Sequence, residues 1–275
     1  MTARTASTAR RAARLAPLLA TTLAGGLITT ACSSAAADEP EVLFADEFDG
    51  PAGPVGQPWT METGGGGWGN DEMQVYTDDP ANVRIDGDGH LAISARYDDG
   101  RLTSGRVSTY GGYSVRYGTV SARVALPAGQ GLHPAFWLLG DNIRSVGWPT
   151  AGEIDVIETL NDAGEYHTSV KAPRDSVDRG QEVAASGVPD EPLAGEFRTY
   201  WMRKEPGRIQ TGIDDTTLLT ATPGDLAPDA QWVFDAPFHL LLNLAVGGNW
   251  SGPPDEQRTP NPSTMLIDWV RVTAL

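Results

Sequence analysis

Short segments rich in Val, Ile, Tyr and Trp, separated by clusters of Gly, Pro, Asn and Asp, are the feature that most restricts the fold of this chain. No segment after Val42 keeps the 3.6-residue apolar period of a long helix, whereas short apolar runs between turn residues are typical of strands. We therefore predict an all-β sandwich. The predicted strands are Asn82–Ile85, His90–Tyr97, Gly112–Leu126, Ala135–Leu139, Glu153–Thr159, Tyr166–Lys171, Phe197–Lys204, Phe238–Val246 and Met265–Val272.

The connections between these segments carry turn residues. Asp86–Gly89 and Asp98–Gly100 combine Asp with Gly, which predicts tight hairpins because Gly accepts the positive φ angles that such turns need. The stretch from Pro173 to Glu196 is polar and rich in Pro and Gly, and we predict a long surface loop there. Because strand-like segments continue beyond it at the same spacing, residues 38–275 are expected to form one domain.

The first 37 residues differ from the rest of the chain. They contain arginines and no acidic residue, and an apolar run extends from Leu15 to Ala31. This layout is typical of a secretory signal, and the run, which Pro17 interrupts, is shorter than the ~20 residues of a membrane-spanning helix. We therefore predict a signal segment at residues 1–37 and a mature, soluble protein outside the cytoplasm.

Cys32 is the only cysteine, and it stands where the apolar run ends. The segment Leu27–Cys32 resembles the lipobox of bacterial lipoproteins, although Thr29 stands where Leu is usual. A lipid on Cys32 would attach the protein to the outer face of the cell membrane. Cleavage after Ala35–Ala37 is the alternative, and it would remove the cysteine. With either cleavage the mature chain has no internal disulfide, because one cysteine cannot pair within the chain.

The charge of the chain excludes one class of partner. The formal net charge is -16, and the part beyond residue 37 is more acidic still because the first 37 residues hold no acid. Nucleic-acid binding depends largely on Lys and Arg side chains that neutralise phosphates. Phosphate backbones would repel so acidic a protein, and we predict that it does not bind nucleic acid.

The segment Glu153–Glu158 (EIDVIE) places three acids within one predicted strand. Side chains of a strand alternate between its two faces, so Glu153 and Asp155 share one face. Strict alternation would place Glu158 on the opposite, apolar face. A one-residue bulge near Val156 would return Glu158 to the acidic face.

Three acids on one strand face repel one another, and burying them unpaired is costly. Two carboxyl groups that flank a sugar are the apparatus of a retaining glycosidase. One attacks the anomeric carbon, and the other first protonates the leaving oxygen and then activates water. A carboxyl group between them, here Asp155, would hold a hydrogen bond and raise the pKa of the acid by like-charge proximity. A solvated edge strand and a calcium-binding cluster are the alternatives that the residues leave open.

The bulged segment Glu153–Glu158 resembles the signature of glycoside hydrolase family 16, in particular its laminarinase-like (endo-β-1,3-glucanase) branch. The resemblance implies a concanavalin-like β-jelly roll of two packed antiparallel sheets, with a substrate cleft across the concave sheet. Motifs along nearly the whole mature chain support it. They are Asp46–Gly50 (DEFDG), Gly66–Asn70 (GGWGN), Thr103–Arg106 (TSGR), Pro134–Gly140 (PAFWLLG), Leu242–Trp250 (LNLAVGGNW) and Ile267–Val272 (IDWVRV).

The resemblance also implies roles for single residues. Glu153 would be the nucleophile, Glu158 the acid/base and Asp155 an assisting carboxylate. Trp148 and Trp137 would form part of an aromatic floor for the sugar, with core packing as the alternative for Trp137. The further cleft residues that it implies are Asn70, Arg106 and Trp250.

No metal or organic cofactor is expected in the chemistry. Members of the family often bind a structural calcium ion away from the cleft. Glu47 and Asp268 match the positions that contribute to that ion, and ordinary turn residues are the alternative.

Two positions depart from the laminarinase pattern, and both are candidate substrate-binding residues. His133 stands where laminarinases commonly have Trp, which removes a large stacking surface. Lys171, in the strand Tyr166–Pro173, replaces a histidine expected near the reacting sugar. A permanent cation there would lower the pKa of a nearby carboxylate, and it could recruit an acidic or otherwise substituted sugar.

Together these features predict a secreted or lipid-anchored, monomeric, retaining endo-glycosidase that hydrolyses β-1,3-glucan such as laminarin by double displacement. His133 and Lys171 leave open another polysaccharide for the same chemistry: a β-galactan, an agar-like or carrageenan-like chain, or a mixed-linkage glucan. A non-catalytic polysaccharide-binding protein is the third alternative.

Overall fold

The computed structural model describes residues 40–275, and this part of the chain contains seventeen strands, three short helices and one 3-10 helix. The first nine strands are β1 (Val42–Asp46), β2 (Thr60–Met61), β3 (Val75–Tyr76), β4 (Val83–Ile85), β5 (Leu91–Asp98), β6 (Arg101–Ser104), β7 (Arg106–Ser108), β8 (Gly118–Ala125) and β9 (Leu132–Gly140). The others are β10 (Glu153–Thr159), β11 (Tyr166–Arg174), β12 (Val177–Gly187), β13 (Arg198–Glu205), β14 (Arg208–Ile213), β15 (Thr216–Ala221), β16 (Phe238–Val246) and β17 (Ser263–Thr273). The helices are α1 (Trp68–Asp71), α2 (Ile143–Val146), α3 (Gly248–Ser251) and the 3-10 helix Pro223–Asp225.

Within residues 40–275 the strands form two sheets. The ten-stranded sheet has the order β15-β14-β13-β8-β17-β5-β6-β3, with β1 beside β17 and β4 beside β5. The seven-stranded sheet has the order β12-β11-β10-β9-β16-β7-β2. Paired strands are antiparallel apart from β3 and β6, which run parallel. The predicted all-β, two-sheet jelly roll is confirmed.

The hydrophobic core lies between the two sheets. Alternate residues of β8, such as Val120 and Val124, are fully buried, while the residues between them reach the surface. On β10, Ile154 and Val156 are fully buried in the same core. Because the apolar side chains of the seven-stranded sheet point inward, its outer face is free to carry polar residues and a cleft.

Several predicted elements match the structure closely. Glu153–Thr159 and Phe238–Val246 have the bounds that the sequence predicts. The two predicted hairpins join β4 to β5 and β5 to β6. In the second hairpin both Asp99 and Gly100 have positive φ, as a tight turn of this kind requires.

The prediction of a long surface loop from Pro173 to Glu196 is wrong. β11 continues to Arg174, and Val177–Gly187 forms β12, the edge strand of the seven-stranded sheet. Its residues are exposed or only partly buried, and its backbone pairs with β11. An edge strand without a buried face needs no apolar run, and its polar sequence therefore resembles that of a loop.

The predicted signal segment, the lipid site at Cys32 and the domain boundary after residue 37 lie outside the described residues and stay predictions. Among the helices of residues 40–275, none has the length and apolar character needed to cross a membrane.

Candidate active site

Strand β10 carries the three carboxylates that the sequence predicts for the chemistry. Opposite β11, the pairing passes from Asp155 with Ser169 to Glu158 with His167. One extra residue is therefore accommodated on β10, which is the predicted bulge. As a result, all three carboxylates line one cleft although Glu158 has the wrong parity for regular alternation.

The cleft runs across the outer face of the seven-stranded sheet and has a volume of about 790 Å³. Every cleft residue predicted from the sequence lines it: Asn70, Arg106, His133, Trp137, Trp148, Glu153, Asp155, Glu158, Lys171 and Trp250. Its size is in the range of small-molecule sites, ~300–1,000 Å³, so it accommodates sugar rings.

Lys171 lies opposite Glu153 on β11 and bridges two carboxylates. Its ammonium group donates to Oε1 of Glu153 at 2.6 Å and to Oδ2 of Asp155 at 2.9 Å. Burial lowers the pKa of Lys171, but the negative charges of the three carboxylates outweigh burial and raise it. Lys171 is therefore a permanent cation, and an acidic sugar would have to compete with Glu153 and Asp155 for it.

Asp155 is the most buried of the three acids, with 3% of its side chain exposed. Burial raises the pKa of Asp155 well above its ordinary value, and the charges of Glu158 and Glu153 raise it further. Lys171 and a hydrogen bond from Oγ of Ser169 at 2.5 Å act in the opposite direction. The net effect is a carboxyl group that holds its proton to a higher pH than an ordinary aspartate.

The pKa of Glu158 is shifted in the opposite direction from the prediction. Burial raises the pKa of Glu158, but the hydrogen bond with His133 and the charges of Lys171 and His167 outweigh it. The pKa of Glu158 is therefore lowered, and the expectation that like-charge repulsion raises it is wrong. That expectation omitted the cations of the neighbouring strands, and the raised pKa belongs to Asp155 instead.

His133 on β9 touches the candidate acid/base directly. Its Nε2 lies 2.9 Å from Oε1 of Glu158, and the residue is 8% exposed. The edge of the ring also packs against Trp250, with 5.1 Å between ring centres. A substrate-binding role for His133 stays a prediction, because this geometry directs the ring at Glu158.

Two tryptophans present aromatic surface to the cleft. Trp148 and Trp250 are 45% and 43% exposed. Indole faces of this kind stack on the apolar C–H faces of sugars. Trp137 also lines the cleft, but its indole N–H donates to Oδ1 of Asn243 at 2.7 Å, and the Arg106 guanidinium lies 4.8 Å from the ring centre. Less of Trp137 is therefore free for stacking.

Arg106 and Asn70 reach the cleft from two different elements. Arg106 lies on β7, donates from Nε to Oε2 of Glu62 at 2.6 Å, and packs against Trp68 as well as Trp137. Asn70 lies in α1, where its φ and ψ angles depart from helical values. Both residues line the cleft, and their role in binding substrate stays a prediction.

The structure adds residues of the site that the sequence pattern did not identify. Asn243 lies on β16, a mostly apolar strand whose other polar residue is His239, and an amide in such a run is the signal that could have revealed it. Ser169 does not line the cleft but is buried opposite Asp155 and donates to it, a position that follows once β10 and β11 are paired. Arg179 and Glu182 line the cleft from β12 and were missed because that segment was predicted to be a loop.

Both predicted calcium ligands form ion pairs with arginines. The two carboxylate oxygens of Glu47 accept from Arg271, each at 2.8 Å, and Asp268 pairs with Arg123. In the described part of the chain, no group of three or more His, Cys, Asp or Glu side chains is arranged to hold a metal ion. Because calcium also takes backbone carbonyl and water ligands, the structural calcium ion stays a prediction.

Known proteins resemble this chain in sequence and in fold. A family model described as "XgeA-like, catalytic GH16 domain" matches residues 75–187. The chain is 36% identical to a β-glucanase of Rhodothermus marinus over 84% of each chain. It is 33% identical to a glucan endo-1,3-β-glucosidase of Cryptopygus antarcticus, over 83% of this chain and 90% of the relative.

A solved structure shows the same architecture. The catalytic domain of an endo-1,3-β-glucanase (laminarinase) from Thermotoga petrophila superposes with a TM-score of 0.76 at 34% identity. The superposition covers 85% of this chain and 97% of that domain. The resemblance deduced from the motifs is thereby confirmed, and the chain belongs to glycoside hydrolase family 16 and is a glycoside hydrolase.

Proposed function

We propose that the protein is a retaining endo-glycosidase that hydrolyses β-1,3-glucan. The observation that carries the proposal is the bulged strand β10, which presents Glu153, Asp155 and Glu158 to one tryptophan-lined cleft. Relatives named as β-glucanases and endo-1,3-β-glucanases support a β-glucan as the polymer.

In the first step Glu153 attacks the anomeric carbon, and the bond from that carbon to the glycosidic oxygen breaks. Glu158 gives its proton to that oxygen, so the leaving sugar departs as an alcohol and an ester to Glu153 remains. Lys171 contacts Glu153 through Oε1 alone and so orients its carboxylate.

In the second step Glu158, now ionised, takes a proton from water. The water oxygen bonds to the anomeric carbon as the ester bond to Glu153 breaks, and the enzyme returns to its starting state. Two successive displacements at one carbon restore its original configuration. Both steps use side chains of the cleft, so no cofactor takes part in them.

The test is hydrolysis of laminarin. Wild type should release oligosaccharides, with the β anomer as the first product in proton NMR spectra. Glu153→Gln should lower the rate by at least ~1,000-fold because an amide cannot form the ester. Glu196→Gln changes an exposed glutamate outside the cleft and should keep the wild-type rate.

The outcomes separate the parts of the proposal. An α anomer as first product would contradict the retaining mechanism. A panel of laminarin, mixed-linkage glucan, β-galactan, agarose and carrageenan tests the polymer, and a wild type that is inert on β-1,3-glucan but active on another member would contradict the substrate. Binding without turnover on every member would indicate a polysaccharide-binding protein instead.

A further inference from the structure

The contact between His133 and Glu158 is mostly buried, although both residues line the cleft. Only 10% of the His133 side chain and 13% of the Glu158 side chain are exposed, and Nε2 lies 2.9 Å from Oε1. Trp250 packs edge-on against the ring. A hydrogen bond in such surroundings is shielded from water and is strong because the local dielectric is low.

The surroundings of the other ring nitrogen decide which nitrogen carries the proton. Within residues 40–275, Nδ1 of His133 is buried and has no hydrogen-bond partner. A proton on Nδ1 would be a buried donor without an acceptor, which is costly. The neutral ring therefore carries its proton on Nε2, and Nε2 donates to Oε1 of Glu158.

We propose that His133 is a positioning residue for the acid/base: it holds Oε1 of Glu158, so that Oε2 is the oxygen that exchanges protons with the glycosidic oxygen and then with water. The inference rests on the proposed role of Glu158. When Oε2 gives up its proton, the carboxylate becomes charged and the hydrogen bond from Nε2 strengthens. His133 thus stabilises the charge that develops on Glu158 in the first step.

The same hydrogen bond sets the pH range of the enzyme. It favours the ionised carboxylate and lowers the pKa of Glu158, so the protonated acid is lost at a lower pH and activity falls earlier on the alkaline side. On β16, the residue paired with His133 is the neutral Ala245. The other charged or titratable groups that act on Glu158 are Lys171 and His167 from β11, and Asp155 and Glu153 from β10.

The kinetic test compares two variants on two substrates. His133→Phe keeps an aromatic ring without a donor, and His133→Gln keeps an N–H donor. On laminarin, His133→Phe should move the alkaline limb of kcat/KM up by about one pH unit and lower the value at the optimum by about 10- to 100-fold. His133→Gln should restore most of the rate and return the limb toward that of wild type.

The second substrate is a 2,4-dinitrophenyl β-laminaribioside, whose leaving group needs no proton. Its kcat/KM should change less than about threefold in His133→Phe, because only the acid step is impaired. Equal losses on both substrates with an unmoved alkaline limb would overturn the proposal and leave His133 a packing role. His90→Phe, on the β4–β5 hairpin, controls for loss of a histidine outside the cleft.

A readout that needs no substrate keeps this inference separate from the proposed function. In nitrogen-15 NMR spectra at neutral pH, the His133 ring should show a protonated Nε2 and a bare Nδ1, and Glu158→Gln should change the Nε2 signal. A proton on Nδ1, or a signal indifferent to Glu158→Gln, would overturn the proposal. If wild type hydrolyses no β-glucan, the proposed function fails while this measurement still decides the role of His133.

Discussion

The buried aspartate of the cleft and its lysine partner depend on each other. Asp155 has two further carboxylates beside it, so its ionised form is stable only with a cation nearby. Lys171 is that cation, 2.9 Å away. Removing one partner of such a pair leaves the other buried without compensation, which costs about 3 kcal/mol.

Lys171→Met should therefore lower the free energy of unfolding by about 3 kcal/mol at pH 7. The pKa of Asp155 is raised in the folded protein, and loss of Lys171 would raise it further. The folded state then binds more protons than the unfolded chain from about pH 4 up to that pKa, and stability falls as pH rises through this window. The deficit of Lys171→Met should accordingly be larger at pH 7 than near pH 4.

Urea unfolding at the two pH values measures this deficit. Lys171→Arg is the matched control, because it keeps the cation and should lose much less stability than Lys171→Met. Equal deficits at both pH values would show that Lys171 does not act through the charge of Asp155.

The positions of the three carboxylates were predictable from the sequence, but their protonation order was not. Alternation along β10 and the bulge follow from local chain geometry, so Glu153, Asp155 and Glu158 could be assigned to one face. The lowered pKa of Glu158 depends on His133 from β9 and Lys171 from β11. Those contacts join distant parts of the chain, and the sequence pattern does not report their distances.

Whether a strand can be recognised in the sequence depends on how much of it is buried. All nine residues of β16 are buried, and seven of them are apolar, which identifies the strand in the sequence. Among the described strands β12 pairs with β11 alone, and backbone hydrogen bonds hold it in place rather than side-chain burial. Such pairing leaves no periodic pattern in the side chains. The failure to predict β12 as a strand matters for the site, because β12 extends the cleft beyond β11 through Arg179 and Glu182.

Gly180 is a point of close approach between β12 and its neighbours. Its φ is +71°, and a Cβ atom there would lie 2.3 Å from the carbonyl oxygen of Ala172 and 3.1 Å from Cγ of Pro149. Gly180→Ala should push β12 away from β11 and from Pro149, which adjoins Trp148. We expect it to destabilise the fold by about 2–3 kcal/mol and to raise KM for laminarin, with a smaller effect on kcat because β10 stays in place.

Gly195 offers a matched control for this substitution. Its φ is +76°, but no atom of residues 40–275 lies within 4 Å of the position that a Cβ would take. Gly195→Ala should therefore show only the conformational cost of a left-handed alanine, about 1 kcal/mol, and an unchanged KM. Denaturant unfolding and laminarin kinetics on both variants measure the difference, and equal effects would contradict the steric role of Gly180.

For the molecule as a whole, the two sheets are held together by side chains that fill the space between them, and one of these is a lysine. Lys204 of β13, in the ten-stranded sheet, is fully buried. Its Nζ donates to the carbonyl oxygen of Ala236 and lies 4.5 Å from the ring centre of Phe238, the first residue of β16 in the other sheet. Burial lowers the pKa of Lys204 from 10.5 to about 7.

Because of Lys204, the free energy of unfolding of the sandwich depends on pH. Between about pH 7 and pH 10.5 the unfolded chain binds more protons than the folded protein at this residue. The contribution of Lys204 to stability therefore falls as pH decreases through that window, and the full penalty applies below it. Lys204→Met keeps a long side chain between the sheets without the charge. It should be more stable than wild type by about 3 kcal/mol at pH 6, and by little at pH 10.5.

Urea unfolding of wild type and Lys204→Met at pH 6 and at pH 10.5 isolates this term, because titrations shared by both proteins cancel in the difference. Arg208→Met, which removes an exposed charge from the adjacent strand β14, should give the same difference from wild type at both pH values. A gain for Lys204→Met that is equal at both pH values would mean that packing, and not the buried charge, limits the stability of the sandwich at this point. A gain confined to the lower pH would instead show that the penalty comes from the charge of the buried, protonated Lys204.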